Sequence, residues 1–375
     1  MMSKNPFIIS VIPPEAPFCN RSQELRQLIS YGSAGTNVVV FSPRRFGKTS
    51  LVKRVQLNLA KKGMLTLYAD FFGVTSIDDI AGRIAKCVYA FIRGNEPMMK
   101  KAIRLLTAFR PVLKPTEDGS FAVSIESTGQ NIQGIELLDK TLDDLGLFME
   151  QVGPENVHIV FDEFQEITEL RDKAIEGTLR SHIQFHRPSY FFVGSRRHIL
   201  LGMFSEKSRP FYQSAQLYEL KKLPHDELVG YLMAQFKKGG KRCPEKNAEK
   251  ISLLSLQNPY YAQKLALNVY EVSGKVVHGK DIKGALELMI DNEIFFYQAI
   301  LQALAPRQIA LLRALAVEPS KTLLSNRYIS RHDLGSIGGV QAALKKLRQL
   351  DLIEKDPDSR YQMVDPIFRM WLQQL

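Results

Sequence analysis

Three short polar clusters, each at the end of an apolar run, have the residue types for phosphate chemistry. The first is Ser42-Pro43-Arg44-Arg45-Phe46-Gly47-Lys48-Thr49. It follows the β-branched run Asn37 to Phe41 and opens a helical pattern that runs from Ser50 to about Lys62. The pattern approximates G-x-x-x-x-G-K-[ST], a loop whose backbone N–H groups cradle phosphates at a helix N-terminus. Serine replaces the first glycine. In that reading Lys48 reaches the β- and γ-phosphates and Thr49 places its hydroxyl on Mg²⁺. The plainer reading is an ordinary strand–helix turn.

The second cluster ends Val157-His158-Ile159-Val160-Phe161 with Asp162 and Glu163. An apolar strand closing on two carboxylates is the Walker B form. Asp162 is then expected to hold Mg²⁺ and Glu163 to polarise the attacking water as general base. The alternative is an acidic pair capping a helix. The third cluster, Gly194-Ser195-Arg196-Arg197, closes the run Tyr190 to Val193. Ligands of parallel sheets sit at the carboxyl ends of the strands. Ser195 and Arg196 are therefore expected near the γ-phosphate, with Arg196 stabilising charge during reaction. Arg197 and Arg209 are weaker candidates, and a surface basic turn is the plainer reading.

These clusters need a scaffold. Strands are expected at Asn37–Phe41, Leu65–Ala69, Val157–Phe161, Tyr190–Val193 and Gln216–Leu220, alternating with helices, which implies a parallel α/β sheet. The stretch from about 94 to 141 breaks the rhythm. It reads as an amphipathic helix, Met98 to Phe109, then an Asp118-Gly119 turn and a hairpin strand around Phe121, Val123 and Ile125. From about Pro224 the pattern is helical. The last 70 or so residues have the order of a winged helix-turn-helix. The expected division is a core over 1–222, a helical domain over 223–300 and a winged helix over 301–375.

In that last region Val340, Ala343, Leu344, Leu347 and Leu350 form one apolar stripe. Gln341, Lys345, Lys346, Arg348 and Gln349 form the other face and suit a major groove. Lys355 and Arg360 flank the turn Asp356-Pro357-Asp358-Ser359 as a wing does. Asp351, Glu354, Asp356 and Asp358 put acid in the same place, which repels DNA phosphates. A solvated face used for protein contacts is the alternative. Trp371, spaced with Ile367, Phe368 and Leu372, reads as core packing.

The set of motifs resembles the AAA+-related archaeal-type ATPases, a group allied to the STAND signalling ATPases. The residues that carry it are Pro43 to Ser50, Asp162-Glu163-Phe164-Gln165, Gly194 to His198, Arg209-Pro210-Phe211-Tyr212 and Asp365 to Leu372. The resemblance spans about Phe18 to Leu375. It implies an ASCE-type five-stranded core, a helical lid and a winged helix, with ATP or ADP and Mg²⁺ as ligands. It also implies that Phe18-Cys19-Asn20-Arg21 is an entry motif, with Asn20 and Arg21 beside the adenine. Ser195-Arg196 takes a sensor position by the same resemblance. Gln257-Asn258-Pro259 resembles a G-x-P motif in the lid, with Gln257 where glycine is usual.

Composition bounds the rest. The 375 residues carry 50 Lys+Arg against 39 Asp+Glu, a net charge of +11. At roughly 150 residues per domain this is a two- or three-domain chain. The 45% hydrophobic and 24% charged fractions are those of a globular protein, which excludes a disordered chain, a collagen or a coiled-coil rod. Cys19, Cys87 and Cys243 are too few and scattered for a disulfide framework or zinc site. A cytoplasmic setting is expected, without secretory signal or membrane span. Part of the positive charge has local work at the nucleotide. DNA, a protein partner or further copies of the chain are the expected partners beyond ATP.

Overall fold

The computed structural model describes residues 5–16, 18–19, 21–92, 106–115, 121–128, 132–356 and 358–375. They fall into two compact units. One takes residues 13–16 and 21–221, the other 5–12, 18–19 and 222–375.

The first unit begins with α1 (Ser22–Ser33), β1 (Val38–Phe41), α2 (Lys48–Lys61), β2 (Leu65–Asp70) and α3 (Ile77–Ile92). A hairpin follows, β3 (Phe109–Pro115) and β4 (Phe121–Ser127), then α4 (Gly134–Val152) and β5 (Val157–Asp162). The unit closes with α5 (Lys173–Ile183), β6 (Ser189–Gly194), α6 (Arg197–Ser205) and β7 (Gln216–Glu219). Five strands form one sheet in the order β2-β5-β6-β1-β7, and every pairing is parallel. The central strands β1, β5 and β6 are buried along their whole length. That is why they read as unbroken apolar runs rather than alternating ones.

The antiparallel pairing of β3 with β4 agrees with the expected hairpin. Pro111 and Pro115 lie inside β3, which a two-stranded ladder tolerates because each strand is an edge. The Asp118-Gly119 turn and most of the expected Met98–Phe109 helix lie outside the described residues. Phe109 itself starts a strand, and 106–108 are not helical. The hairpin's root is tied to the core: the Tyr89 hydroxyl donates to Phe109 O at 2.9 Å, and Ala108 N donates to Asp144 Oδ2 at 2.9 Å. α4 begins at Gly134 and buries Leu137, Leu138, Leu142 and Leu145 in the sheet core. The interruption of the α/β rhythm therefore stops short of 141.

The second unit contains α7 (His225–Lys238), α8 (Glu245–Leu254), α9 (Pro259–Val272), α10 (Gly279–Asp291) and α11 (Ile294–Gln302). After these come α12 (Pro306–Val317), α13 (Asn326–Arg331), α14 (Ile337–Gln349), the ribbon β8 (Ile353–Lys355) and β9 (Tyr361–Met363), and α15 (Pro366–Leu372). One hydrophobic core runs through it, from Phe7 to Leu372. Trp371 is buried, its ring centroid 5.6 Å from that of Tyr297 and 6.0 Å from that of Phe368. Val340, Ala343 and Leu347 form the buried stripe of α14. Leu350 departs from it: it lies just past the helix end and is exposed. Among the described residues no helix is long and apolar enough to cross a membrane.

Two buried polar groups shape the sheet. His158 is fully buried in β5, with Nδ1 2.7 Å from Ser189 Oγ, and Ser189 Oγ donates to Gly32 O at 3.1 Å. Ser189 therefore accepts from Nδ1–H, and Nε2 is a bare lone pair without a partner. Protonating Nε2 would place an unpaired cation in the core, so burial lowers the His158 pKa to about 3. Gln165 is also fully buried, on the 3₁₀ turn Phe164–Leu170 that follows β5. Its Oε1 packs on Gly194 so closely that any Cβ there would overlap it.

Two outcomes follow for stability. An unfolded chain binds the His158 proton below pH 6.5 and the folded one does not until near pH 3. This contribution is therefore complete above the unfolded pKa and declines by about 1.4 kcal/mol per pH unit on acidification. Urea unfolding across that range should show a shallower acid slope for His158→Asn, whose amide keeps a donor. An equal slope in both proteins would contradict the assignment. His186, with its pKa lowered to about 4 by burial and by His182, adds a component that this variant retains. Gly194→Ala should destabilise by about 1–3 kcal/mol through overpacking, and Gln165→Ala should restore most of that loss in the double variant.

Candidate nucleotide site

Parallel pairing aligns the carboxyl ends of three strands. Phe41 of β1 is in register with Gly194 of β6, and Phe161 of β5 with Phe192 of β6. The loops that leave these strands are the three polar clusters, so the sheet register brings them side by side.

The first loop turns twice through left-handed backbone, at Arg45 (φ 68°) and at Gly47 (φ 82°), the residue that caps α2. Gly47 has open space where a Cβ would stand, so glycine is favoured there by its dihedral and not by crowding. Ser42 is buried and is not among the left-handed residues. Serine therefore fits the glycine position of the pattern without backbone strain. Lys48 is 6% exposed, and its Nζ donates to Ser42 O and Pro43 O, both at 3.0 Å. The ammonium thus folds back under its own loop, whose carbonyls satisfy it. Arg44 and Arg45 are exposed, whereas Phe46 and Ser50 are buried.

Thr49 joins the first cluster to the second. Its Oγ1 donates to Asp162 Oδ2 at 2.9 Å. The same carboxylate oxygen accepts from the Tyr68 hydroxyl of β2, and Oδ1 accepts from Glu163 N at 2.9 Å. Asp162 is 3% exposed. Burial pushes its pKa up, against the pull of the Tyr68, Thr49 and backbone donors. None of these donors carries a charge. A buried carboxylate with a threonine hydroxyl beside it is a set of hard oxygen donors that suits Mg²⁺.

Glu163 has left-handed backbone, φ 48° and ψ 41°, an uncommon state for a side-chain-bearing residue. The next residue holds it there. Phe164 is fully buried, its ring centroid 4.7 Å from that of Phe192 and 5.4 Å from that of Phe211. Glu163 Oε2 accepts from Ser195 Oγ at 2.9 Å and from Gln165 Nε2 at 2.5 Å. The second and third clusters are therefore in contact, as the first and second are.

Arg196 sits at the end of β6 but pairs elsewhere. Its Nη2 lies 3.2 Å from Glu166, and its Nη1 bonds Glu169. Arg197 pairs with Glu219 at 3.0 Å, and Arg209 pairs with Glu176, whose carboxyl is raised by burial. Arg21 is 4% exposed and bonds Glu24 at 2.8 Å and Lys221 O at 2.7 Å. Asn20 lies outside the described residues. In the other unit, Pro259 is the first residue of α9, and Asn258 caps that helix by accepting from Tyr260 N at 2.9 Å. Gln257 has φ 56°, the left-handed region in which glycine is usual.

Two contributors escaped the sequence reading. Tyr68 lies in an alternating strand and looked like any half-buried strand residue. Gln165 was visible only as part of a resemblance. Neither sits in a motif whose chemistry names it. The wing also differs from its sequence appearance. The Arg360 guanidinium bonds Asp356 and Asp358, each at 2.8 Å, so acid and base of that turn neutralise one another.

Comparison with known proteins bears on the fold. Residues 295–374 match the family described as "probable winged helix domain". No curated protein matches. Among solved structures, the chain is similar to the Walker-type ATPase PABY2304 of Pyrococcus abyssi. The TM-score is 0.66 at 17% identity, over 95% of this chain and 96% of that one. It is also similar to the Orc1 protein of Aeropyrum pernix, solved in complex with DNA. There the TM-score is 0.51 at 12% identity, over 98% of this chain and 94% of that one. The chain thus shares its fold with these two proteins: a five-stranded parallel core, helices and a C-terminal winged helix.

Proposed function

We propose that the protein binds and hydrolyses ATP with Mg²⁺ and uses the nucleotide state to move its winged helix. The observation that carries this reading is the Thr49–Asp162 hydrogen bond, which joins the phosphate loop to the acidic strand end. The residue set 42–50 would hold the phosphates, with Lys48 as their cation. Thr49 and Asp162 would hold Mg²⁺, which supplies charge neutralisation at the β- and γ-oxygens. Glu163 would accept the proton of the attacking water, and Ser195 would orient that carboxylate. Arg196 is proposed to reach the γ-phosphate only after leaving Glu166 and Glu169. Asn20, Arg21 and Pro259 are proposed base-side contacts. The helical segment 223–300 and the winged helix 301–375 would act as lid and output. A STAND-like signalling role through protein partners or copies of the chain rests on the motif resemblance alone.

A second reading, DNA binding through the winged helix, is favoured by α14. Gln341, Lys345, Lys346 and Arg348 are all exposed on it. The Orc1 relative in fold was solved with DNA, which supports the same direction.

Two measurements test these readings. Lys48→Ala should weaken nucleotide binding about tenfold or more, the scale of one hydrogen bond to a charged group. Glu163→Gln should retain binding and lower turnover about 10²–10⁴-fold. Unchanged turnover in both proteins would refute the site. For DNA, the log–log dependence of duplex affinity on salt should flatten by about 0.9 for each phosphate contact removed in a Lys345→Ala/Lys346→Ala/Arg348→Ala variant. Absence of duplex binding at low salt, with or without ATP, would remove the second reading.

A further inference from the structure

We infer that Tyr68 is a positioning residue of the magnesium site: its hydroxyl holds the Asp162 carboxylate in place for the metal. The inference rests on the ATP·Mg²⁺ reading above and extends it to a residue outside every motif.

A metal-holding carboxylate has to be ionised and fixed in direction. Burial at 3% exposure opposes ionisation. Three donors oppose that effect: Glu163 N on Oδ1, and Thr49 Oγ1 and the Tyr68 hydroxyl together on Oδ2. Thr49 is itself a candidate ligand, so its hydroxyl would be shared with the metal. The backbone N–H of Glu163 grips only the other oxygen. Among the described residues, Tyr68 is therefore the donor on Oδ2 with no second task at the site.

The placement of Tyr68 fits that duty. β2 pairs with β5 in register, Tyr68 with Val160 and Asp70 with Asp162. The tyrosine thus stands two residues short of the strand end, and its long side chain spans the gap to the carboxylate. Lys53 of α2 sits with Nζ 5.1 Å from the ring centroid. α2 is the helix that the phosphate loop opens. The ring is held from the phosphate-loop side while the hydroxyl holds the acidic strand end. A shorter residue at 68 leaves Oδ2 with Thr49 alone.

The test measures binding rather than turnover. A fluorescent ATP analogue is titrated into wild type, Tyr68→Phe and Tyr68→Leu, first in EDTA and then across a Mg²⁺ series. Tyr68→Phe is expected to raise the Mg²⁺ concentration for half-maximal enhancement about tenfold, the scale of one hydrogen bond to a charged group. Its nucleotide affinity in EDTA should match wild type, and its urea midpoint should fall while unfolding stays cooperative, because the buried carboxylate loses one donor. Tyr68→Leu, which also loses the ring, should show the same Mg²⁺ shift. A Tyr68→Phe protein that follows the wild-type Mg²⁺ curve overturns the inference. So does one that loses affinity equally with and without Mg²⁺, or one that fails to fold, because the hydroxyl then serves structure. Wild-type binding that ignores Mg²⁺ would instead defeat the ATP·Mg²⁺ reading itself.

Discussion

A buried carboxylate is the constraint around which the first unit is organised. Asp162 ends a strand that is inaccessible along its whole length. An ionised group in such a place is unfavourable unless it is hydrogen-bonded. The chain answers with donors from two segments distant in sequence, Thr49 at the start of α2 and Tyr68 on the edge strand, and from the adjacent backbone of Glu163. The sheet order β2-β5-β6-β1-β7 places those segments around the end of β5. The donors that satisfy Asp162 are thus the same groups that the proposed Mg²⁺ site would use.

The neighbouring residues follow from that arrangement. Glu163 turns through left-handed backbone because Phe164, directly after it, is driven into an aromatic core with Phe192 and Phe211. That turn directs Gln165 and Ser195 onto the Glu163 carboxylate. Gly194 is glycine because the Gln165 amide occupies the space of a Cβ. Apolar packing, of the kind worth about 3–5 kcal/mol for a buried phenylalanine, thereby fixes the direction of a polar side chain. The arginines are a separate matter. Arg196, Arg197 and Arg209 each have a carboxylate partner in the same unit. Any role for them at a phosphate requires exchanging one anion for another.

The charge balance changes meaning in the same way. Arg360 of the wing is neutralised by Asp356 and Asp358, and Lys48 lies beneath its own loop. The net charge of +11 is therefore not a uniform surface field. The exposed cations of α14, Lys345, Lys346 and Arg348, face solvent on its polar side.

Much of this was legible in the sequence. Buried parallel strands are continuous apolar runs, so β1, β5 and β6 are visible as such, as are the polar clusters that end them, whereas the alternating β2 and the largely exposed β7 follow from the strand–helix rhythm. Helical spacing in α14 and around Trp371 gave the packing of the C-terminal region, because a 3.6-residue period is a local property. Local pattern failed where the deciding partner is remote. The region around 106–109 looked helical by its own spacing, but 106–108 are not helical and Phe109 begins a strand whose root is held by Tyr89 and Asp144. Tyr68 alternates like any strand residue, and only the tertiary pairing of β2 with β5 turns it toward Asp162. Sequence by itself determined most of the elements and the polar clusters on which the proposed phosphate chemistry rests, since both reside in short contiguous patterns. Tertiary structure alone decided which side chains meet, because hydrogen bonds such as Thr49 to Asp162 join residues 113 positions apart.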